Sequence, residues 1–342
     1  MPSWKRGAVL SVIVIHSGMP KAGSTSLQQW LEGEAVDLRQ RGFTVAALSH
    51  WDDEGNVDFA PYERGEVNFS AVISRFGREP GPVWQRFADS FVSALSSCGE
   101  RYGNIIVSGE ALAMHPRRPI LERLQQLATQ HEVRVAYYAR PQHTSLEAMW
   151  REWGYRSGKK PSVCVELATP SHRYAFAQRA IHSIAPNLKF EIRPFREDML
   201  DGGDIGVDFA RRFLGVEAHG TGIRANRGLP LEMVNLLRYA PHGMFWDDLE
   251  DYERLHRVKE LYADQSPLED HRVALSRKVL RRYAFDVFAA ENAELGWDDF
   301  VAPLEEGEDV PELKALDGLW TPRASSVELS LLFHALRAAI GE

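Results

Sequence analysis

Short unbroken apolar runs alternate along this chain with segments whose apolar residues recur every three or four positions. The runs are Val9–Ile15, Phe43–Leu48, Asn104–Ser108, Val133–Tyr138 and Leu188–Ile192, and they predict strands. All but the last are strongly apolar, the signature of parallel strands covered on both faces. Leu27–Leu31 reads as the start of a helix. Trp84, Phe87, Ala88, Phe91, Val92 and Leu95 form one helical stripe, and Ile120, Leu121, Leu124, Leu127 and Ala128 form another. The alternation predicts an α/β fold with a central, mostly parallel sheet and helices on both faces. After Pro194 the pattern turns helical, over Ile205–Leu214, Leu229–Tyr239, Leu249–Leu261, Arg272–Leu295 and Ser326–Ile340. Asp298–Asp317 is acidic, carries Pro303 and Pro311, and reads as a solvated connection. The expected organisation is one domain over residues 1–342. It has an α/β core over 9–200 and a mainly helical extension over 201–342 packed on that core.

His50–Pro82 breaks the alternation. It carries Gly55, Pro61, Gly65, Gly77, Pro80, Gly81 and Pro82 among charges and aromatics, and it predicts a long loop inserted after the second strand. Such a loop starts near the carboxyl edge of the sheet, where open α/β sheets bind ligands. It is either a lid over a substrate site or a surface excursion.

Composition narrows the partners. The chain has 342 residues, 44% hydrophobic and 26% charged, with a net charge of −8, which argues against nucleic acid. Cys98 and Cys164 suit neither a disulfide framework nor a zinc site, so a reducing cytoplasm is expected. Trp4-Lys5-Arg6 before an apolar run imitates a signal peptide, but the run is short and has no small-residue cleavage site. No stretch approaches the roughly 18 apolar residues of a membrane span. Asn68-Phe69-Ser70 matches a glycosylation sequon by chance.

The chemistry concentrates where the first strand ends, at Ile15-His16-Ser17-Gly18-Met19-Pro20-Lys21-Ala22-Gly23-Ser24-Thr25-Ser26. Strand, glycine-bearing loop and helix start are the arrangement that cradles a phosphate with backbone N–H groups and the positive helix end. An NTPase loop places lysine directly after its second glycine. Here Ser24 follows Gly23, and Lys21 stands two residues before it.

The order Pro-Lys-x-Gly-Ser-Thr resembles the 5′-phosphosulfate loop of sulfotransferases that use 3′-phosphoadenosine 5′-phosphosulfate (PAPS). The resemblance spans residues 9 to 230 and implies a P-loop-type three-layer α/β sandwich. It implies a PAPS site formed by Pro20, Lys21, Ala22, Gly23, Ser24, Thr25 and Ser26, with Lys21 neutralising the departing phosphate and no metal. In the family an arginine after a central strand, with a serine eight residues on, holds the 3′-phosphate. Arg140 fits the first position, but Ala148 occupies the second, so Ser145 or Thr144 is the substitute. Arg193-Pro194-Phe195, Asp201-Gly202-Gly203-Asp204 and the segment around Asn226 look like counterparts in bacterial carbohydrate-type enzymes. There Arg224 and Arg227 would close over the nucleotide. The family keeps a base near this crevice. Glu110, after the third strand, is the first candidate, His50 the second and His16 the third; His115 and His143 are also in range. The acceptor would be a saccharide or another small molecule bearing a hydroxyl, with Trp51, Tyr62, Trp150, Trp153 and Tyr155 near the crevice.

Other chemistries fit less well. His131-Glu132 opens like a zincin helix, but Val135 stands where the second histidine belongs. Neither a nucleophile elbow nor a dinucleotide fingerprint is present. A P-loop kinase or nucleotide hydrolase is the first alternative, opposed by the lysine position. A catalytically weakened nucleotide-binding protein is the second, favoured by Ala148.

Overall fold

The computed structural model describes residues 11–65, 67–77, 81–110, 118–152, 159–220, 271–305 and 307–319. The chain divides into two compact units, one of residues 1–140 and 173–225, the other of 141–172 and 226–342.

The first unit is α/β. Its strands are β1 (Val12–His16), β2 (Phe43–Trp51), β3 (Val57–Pro61), β4 (Asn104–Ser108), β5 (Glu132–Ala139) and β6 (Lys189–Pro194). They form one six-stranded sheet in the order β3-β2-β4-β1-β5-β6, parallel except for the β2–β3 pair. Ile13, Val14 and Ile15 on β1 and Ile105, Ile106 and Val107 on β4 are fully buried, as strands covered on both faces require.

Helix α1 (Ser24–Gln40) buries Leu27, Trp30, Leu31, Ala35 and Leu38. Trp30 meets Phe209, which ends the short helix α8 (Ile205–Phe209), edge to face at 6.4 Å. Asp204 caps α8 by accepting from Gly206 N at 2.8 Å and Val207 N at 3.2 Å.

Residues 50–82 are not a structureless loop. They carry β3 and helix α2 (Ser70–Gly77). The expectation of a loop weighted the glycines and prolines and passed over the apolar residues between them. Val57, Phe59, Val67, Phe69, Val72, Ile73 and Phe76 are all buried. Phe59 and Phe69 meet at 5.8 Å, and Phe76 stacks at 5.1 Å on Phe87 of helix α3 (Pro82–Tyr102). Each buried aromatic contributes about 1.5–3 kcal/mol, enough to order a short strand and two turns of helix. Helices α4 (Arg118–Leu127) and α7 (Tyr174–Ile184) are the other α-helices described in this unit.

The second unit is helical where described. It comprises α5 (Gln142–Glu152), α6 (Pro161–Ala168), the long α9 (His271–Glu294) and the short α10 (Leu316–Leu319). Leu146, Trp150, Val165, Val279, Leu280, Ala284, Phe288, Val301, Val310 and Leu316 form its core. The predicted solvated connection is therefore partly core, because Val301, Val310 and Leu316 punctuate its acidic residues. Asp317 also caps α6, accepting from Ser162 N at 2.9 Å and Ser162 Oγ at 3.0 Å. The predicted helices over 229–239, 249–261 and 326–340 lie outside the described residues.

Candidate functional site

The loop between β1 and α1 continues the sheet before it turns. Ser17 N donates to Ala136 O at 2.8 Å and Met19 N to Tyr138 O at 3.3 Å, so the loop is anchored along β5. Ala22 N then closes a turn on Met19 O at 3.1 Å. Lys21 adopts φ +67°, and it alone among the described non-glycine residues has positive φ. Gly23 follows at φ +82° and caps α1 with no side chain of its own. Phe195 and Ile205 cover it so closely that a Cβ there would lie 2.5 Å and 2.9 Å from them. The first turn of α1 holds no acidic residue, and its leading N–H groups carry the positive end of the helix. Met19, Pro20, Ala22, Ser24 and Ser26 are buried; Lys21, Gly23 and Thr25 are half-buried.

Glu110 is brought to this loop. β4 lies beside β1 in register, with Ser108 opposite His16, and Gly109 N donates to His16 O at 3.0 Å. Glu110 N then donates to Ser70 Oγ at 2.6 Å, which ties it to the start of α2. Burial raises the Glu110 carboxyl above the ordinary carboxylate range, while the Lys21 charge and a hydrogen bond from the Ser24 hydroxyl pull it back. Lys21, Ser24 and Glu110 therefore share one electrostatic environment.

Arg140 also reaches the loop. It follows β5, and its guanidinium donates to Lys21 O at 3.3 Å. Tyr174, which the sequence did not single out, donates to Arg140 O at 2.8 Å and touches Met19 Sδ at 3.1 Å. Behind them Arg193 pairs with the fully buried Asp208 at 2.7 Å, and Asp208 accepts from Tyr138 at 2.7 Å. These partners come from distant segments, and no local pattern announces them.

The remaining described candidates have other surroundings. His50 is exposed on the β2–β3 hairpin, 3.9 Å from Asp52. His16 is fully buried, and burial pulls its pKa down to about 3, so it is neutral and does not serve as a base near neutrality. Ser145 is fully buried in the helical unit beside His172. His172 Nδ1 faces Ala168 O at 2.8 Å and must donate there, so its Nε2 accepts the Ser145 proton at 3.0 Å. That hydroxyl spends its proton inside the helical unit. Trp150 is core in the same unit. Arg224, Arg227, His115, Trp153 and Tyr155 lie outside the described residues.

Among the described residues no helix is long and apolar enough to cross a membrane. Comparison with family models, with curated proteins and with solved structures finds no match.

Proposed function

We propose that this chain is a PAPS-dependent sulfotransferase that acts on a hydroxyl of a saccharide or other small-molecule acceptor. The observation that carries this reading is the meeting of Lys21, Ser24 and the half-buried carboxyl of Glu110 at the start of α1. The Pro-Lys-x-Gly-Ser-Thr order of the loop supports it. The fold is read as P-loop type because the loop follows the central strand β1, with β4 on one side and β5 on the other. The residues fit an anionic donor: two cationic side chains, a positive helix end and three hydroxyls, with no acidic residue in the first turn.

PAPS supplies a sulfuryl group joined to a phosphate that departs. The leading amides of α1 and the hydroxyls of Ser24, Thr25 and Ser26 hold that phosphate. The Lys21 ammonium offsets the charge that grows on its bridging oxygen. Glu110 takes the proton of the acceptor hydroxyl, a role suited to a carboxyl raised by burial yet kept ionisable by Lys21. Arg140 adds positive charge at the loop and holds its backbone. Two free cysteines support a reducing, cytoplasmic setting.

The test is calorimetric titration with adenosine 3′,5′-bisphosphate, with and without Mg²⁺, on wild type and Lys21→Ala, with ATP and adenosine 5′-monophosphate as controls. Metal-independent preference for the bisphosphate, weakened in the variant, is the expected result. Preference for ATP with Mg²⁺ replaces the proposal with a kinase or hydrolase. Bisphosphate binding without transfer to any acceptor leaves a nucleotide-binding protein.

A further inference from the structure

Three polar side chains run inward from α1 across the ends of two strands. Gln28 Nε2 lies 3.3 Å from Ser108 Oγ, and Ser108 Oγ lies 2.8 Å from His16 Nδ1. An amide nitrogen only donates, so Ser108 accepts from Gln28 and gives its own proton to His16. Ser108 and His16 have no exposed surface. With Nδ1 accepting and the ring neutral, the proton of His16 sits on Nε2. That N–H is buried and has no partner among the described residues.

Its surroundings identify what it serves. A Cβ on Gly18 would lie 2.7 Å from His16 Nε2 and 2.4 Å from Ser24 Oγ. Only a glycine lets the two atoms face the same spot beneath the loop. A buried donor left unmade is costly, and an acceptor supplied by the loop would remove that cost.

We propose that Gln28, Ser108 and His16 form a one-way chain of donors that makes His16 a positioning residue of the loop. The chain fixes a neutral Nε2–H under Gly18, and a small rotation of Ser24 lets its Oγ accept from that N–H. Ser24 then presents its own proton outward, to the Glu110 carboxylate or to a phosphate oxygen of the sulfuryl donor. The second half of that statement rests on the sulfotransferase reading; the chain itself and the Ser24–Glu110 contact do not.

The experiment is nitrogen NMR on histidine-labelled protein, with His16 assigned by its loss in His16→Asn. A neutral Nε2–H form from about pH 5 to pH 8 is expected, although a free histidine titrates in that window. An imidazolium or an Nδ1–H form overturns the proposal. His16→Gln restores a side-chain N–H near the Nε2 position, whereas His16→Asn reaches only the Nδ1 position. His16→Asn should raise the titration midpoint of carbon-labelled Glu110 and weaken adenosine 3′,5′-bisphosphate about tenfold, and His16→Gln should stay within about threefold of wild type on binding. Equal losses in both variants make His16 a packing residue and sink the idea. If these variants do not fold, Ser108→Ala should give His16 a mixed tautomer, and an unchanged tautomer refutes the chain. Wild type that binds no bisphosphate removes the sulfotransferase reading alone, because the tautomer and the Glu110 titration still decide the rest.

Discussion

Lys21 pairs a strained backbone with the charge that the proposed sulfuryl transfer needs, and two substitutions separate those properties. An L-residue in the left-handed region is roughly 1–2 kcal/mol worse than in its preferred conformation, and Lys21 sits there at φ +67°. Lys21→Ala removes the ammonium and keeps the strain. Lys21→Gly removes both, and gives back roughly 0.4–1 kcal/mol through the larger freedom of glycine in the unfolded chain. The glycine variant should therefore be more stable than the alanine variant by about 0.5–1 kcal/mol, the difference between those two contributions. For a domain of 150–250 residues that is a rise in Tm of about 1–4 °C. The assay is urea unfolding of both variants followed by tryptophan fluorescence, with midpoints compared at equal slope. Both variants should lose sulfuryl transfer alike, since neither offsets the leaving phosphate. Equal or lower stability of the glycine variant would refute the claim that the loop stores strain at Lys21.

Glu110→Gln should lower transfer by about 10²–10⁴-fold while leaving bisphosphate binding in place, read by kinetics and calorimetry. Burial raises the folded carboxyl above its unfolded value, so folding favours the protonated form and this group's contribution to stability declines as pH rises through the folded pKa. Glu110→Gln should accordingly unfold at a higher urea concentration than wild type at pH 7, and the acid limb of wild-type activity should sit above the ordinary glutamate range. Asp208→Asn leaves the half-buried Arg193 guanidinium with only the exposed Glu191, 3.8 Å away, as a counter-charge. It should cost about 3–5 kcal/mol in urea unfolding, a penalty that Arg193→Met in the same background relieves.

Much of the sheet could be read from local pattern. β4 runs over the predicted Asn104–Ser108, because a strand covered on both faces writes a continuous apolar run that needs no partner to be recognised. β3 escaped because Val57 and Phe59 alternate with polar residues in a stretch dominated by glycine and proline. Its burial depends on α3, which lies further along the chain. The candidate loop between β1 and α1 was visible for the same local reason: its strand, glycines, lysine and hydroxyls are contiguous. Glu110 was reachable through its strand, since a residue just past β4 must emerge beside the end of β1. The roles of His16 and Ser145 were not readable. A histidine beside a loop and a serine in a helix look alike whether exposed or buried, and only Ser108 and His172, distant in sequence, decide their chemistry. Ser108 opposite His16 was the one available signal, two polar residues closing two adjacent apolar strands.

The two-segment make-up of each unit sets a timetable for a chain made from one end. When β5 leaves the ribosome, the sheet still lacks β6, and the edge of β5 displays unpaired N–H and C=O groups until residues 189–194 follow. The intervening α5 cannot help, because its Leu146 and Trp150 belong to a core whose other members include Val279, Leu280, Ala284, Phe288 and Leu316, more than a hundred residues later. A nascent chain thus carries an open strand edge and an uncovered apolar helix face at once, for some seconds at ordinary elongation rates of about 5–20 residues per second. The sticky interval closes first at the sheet and last at α10. Slower synthesis or added chaperone should then raise the yield during expression.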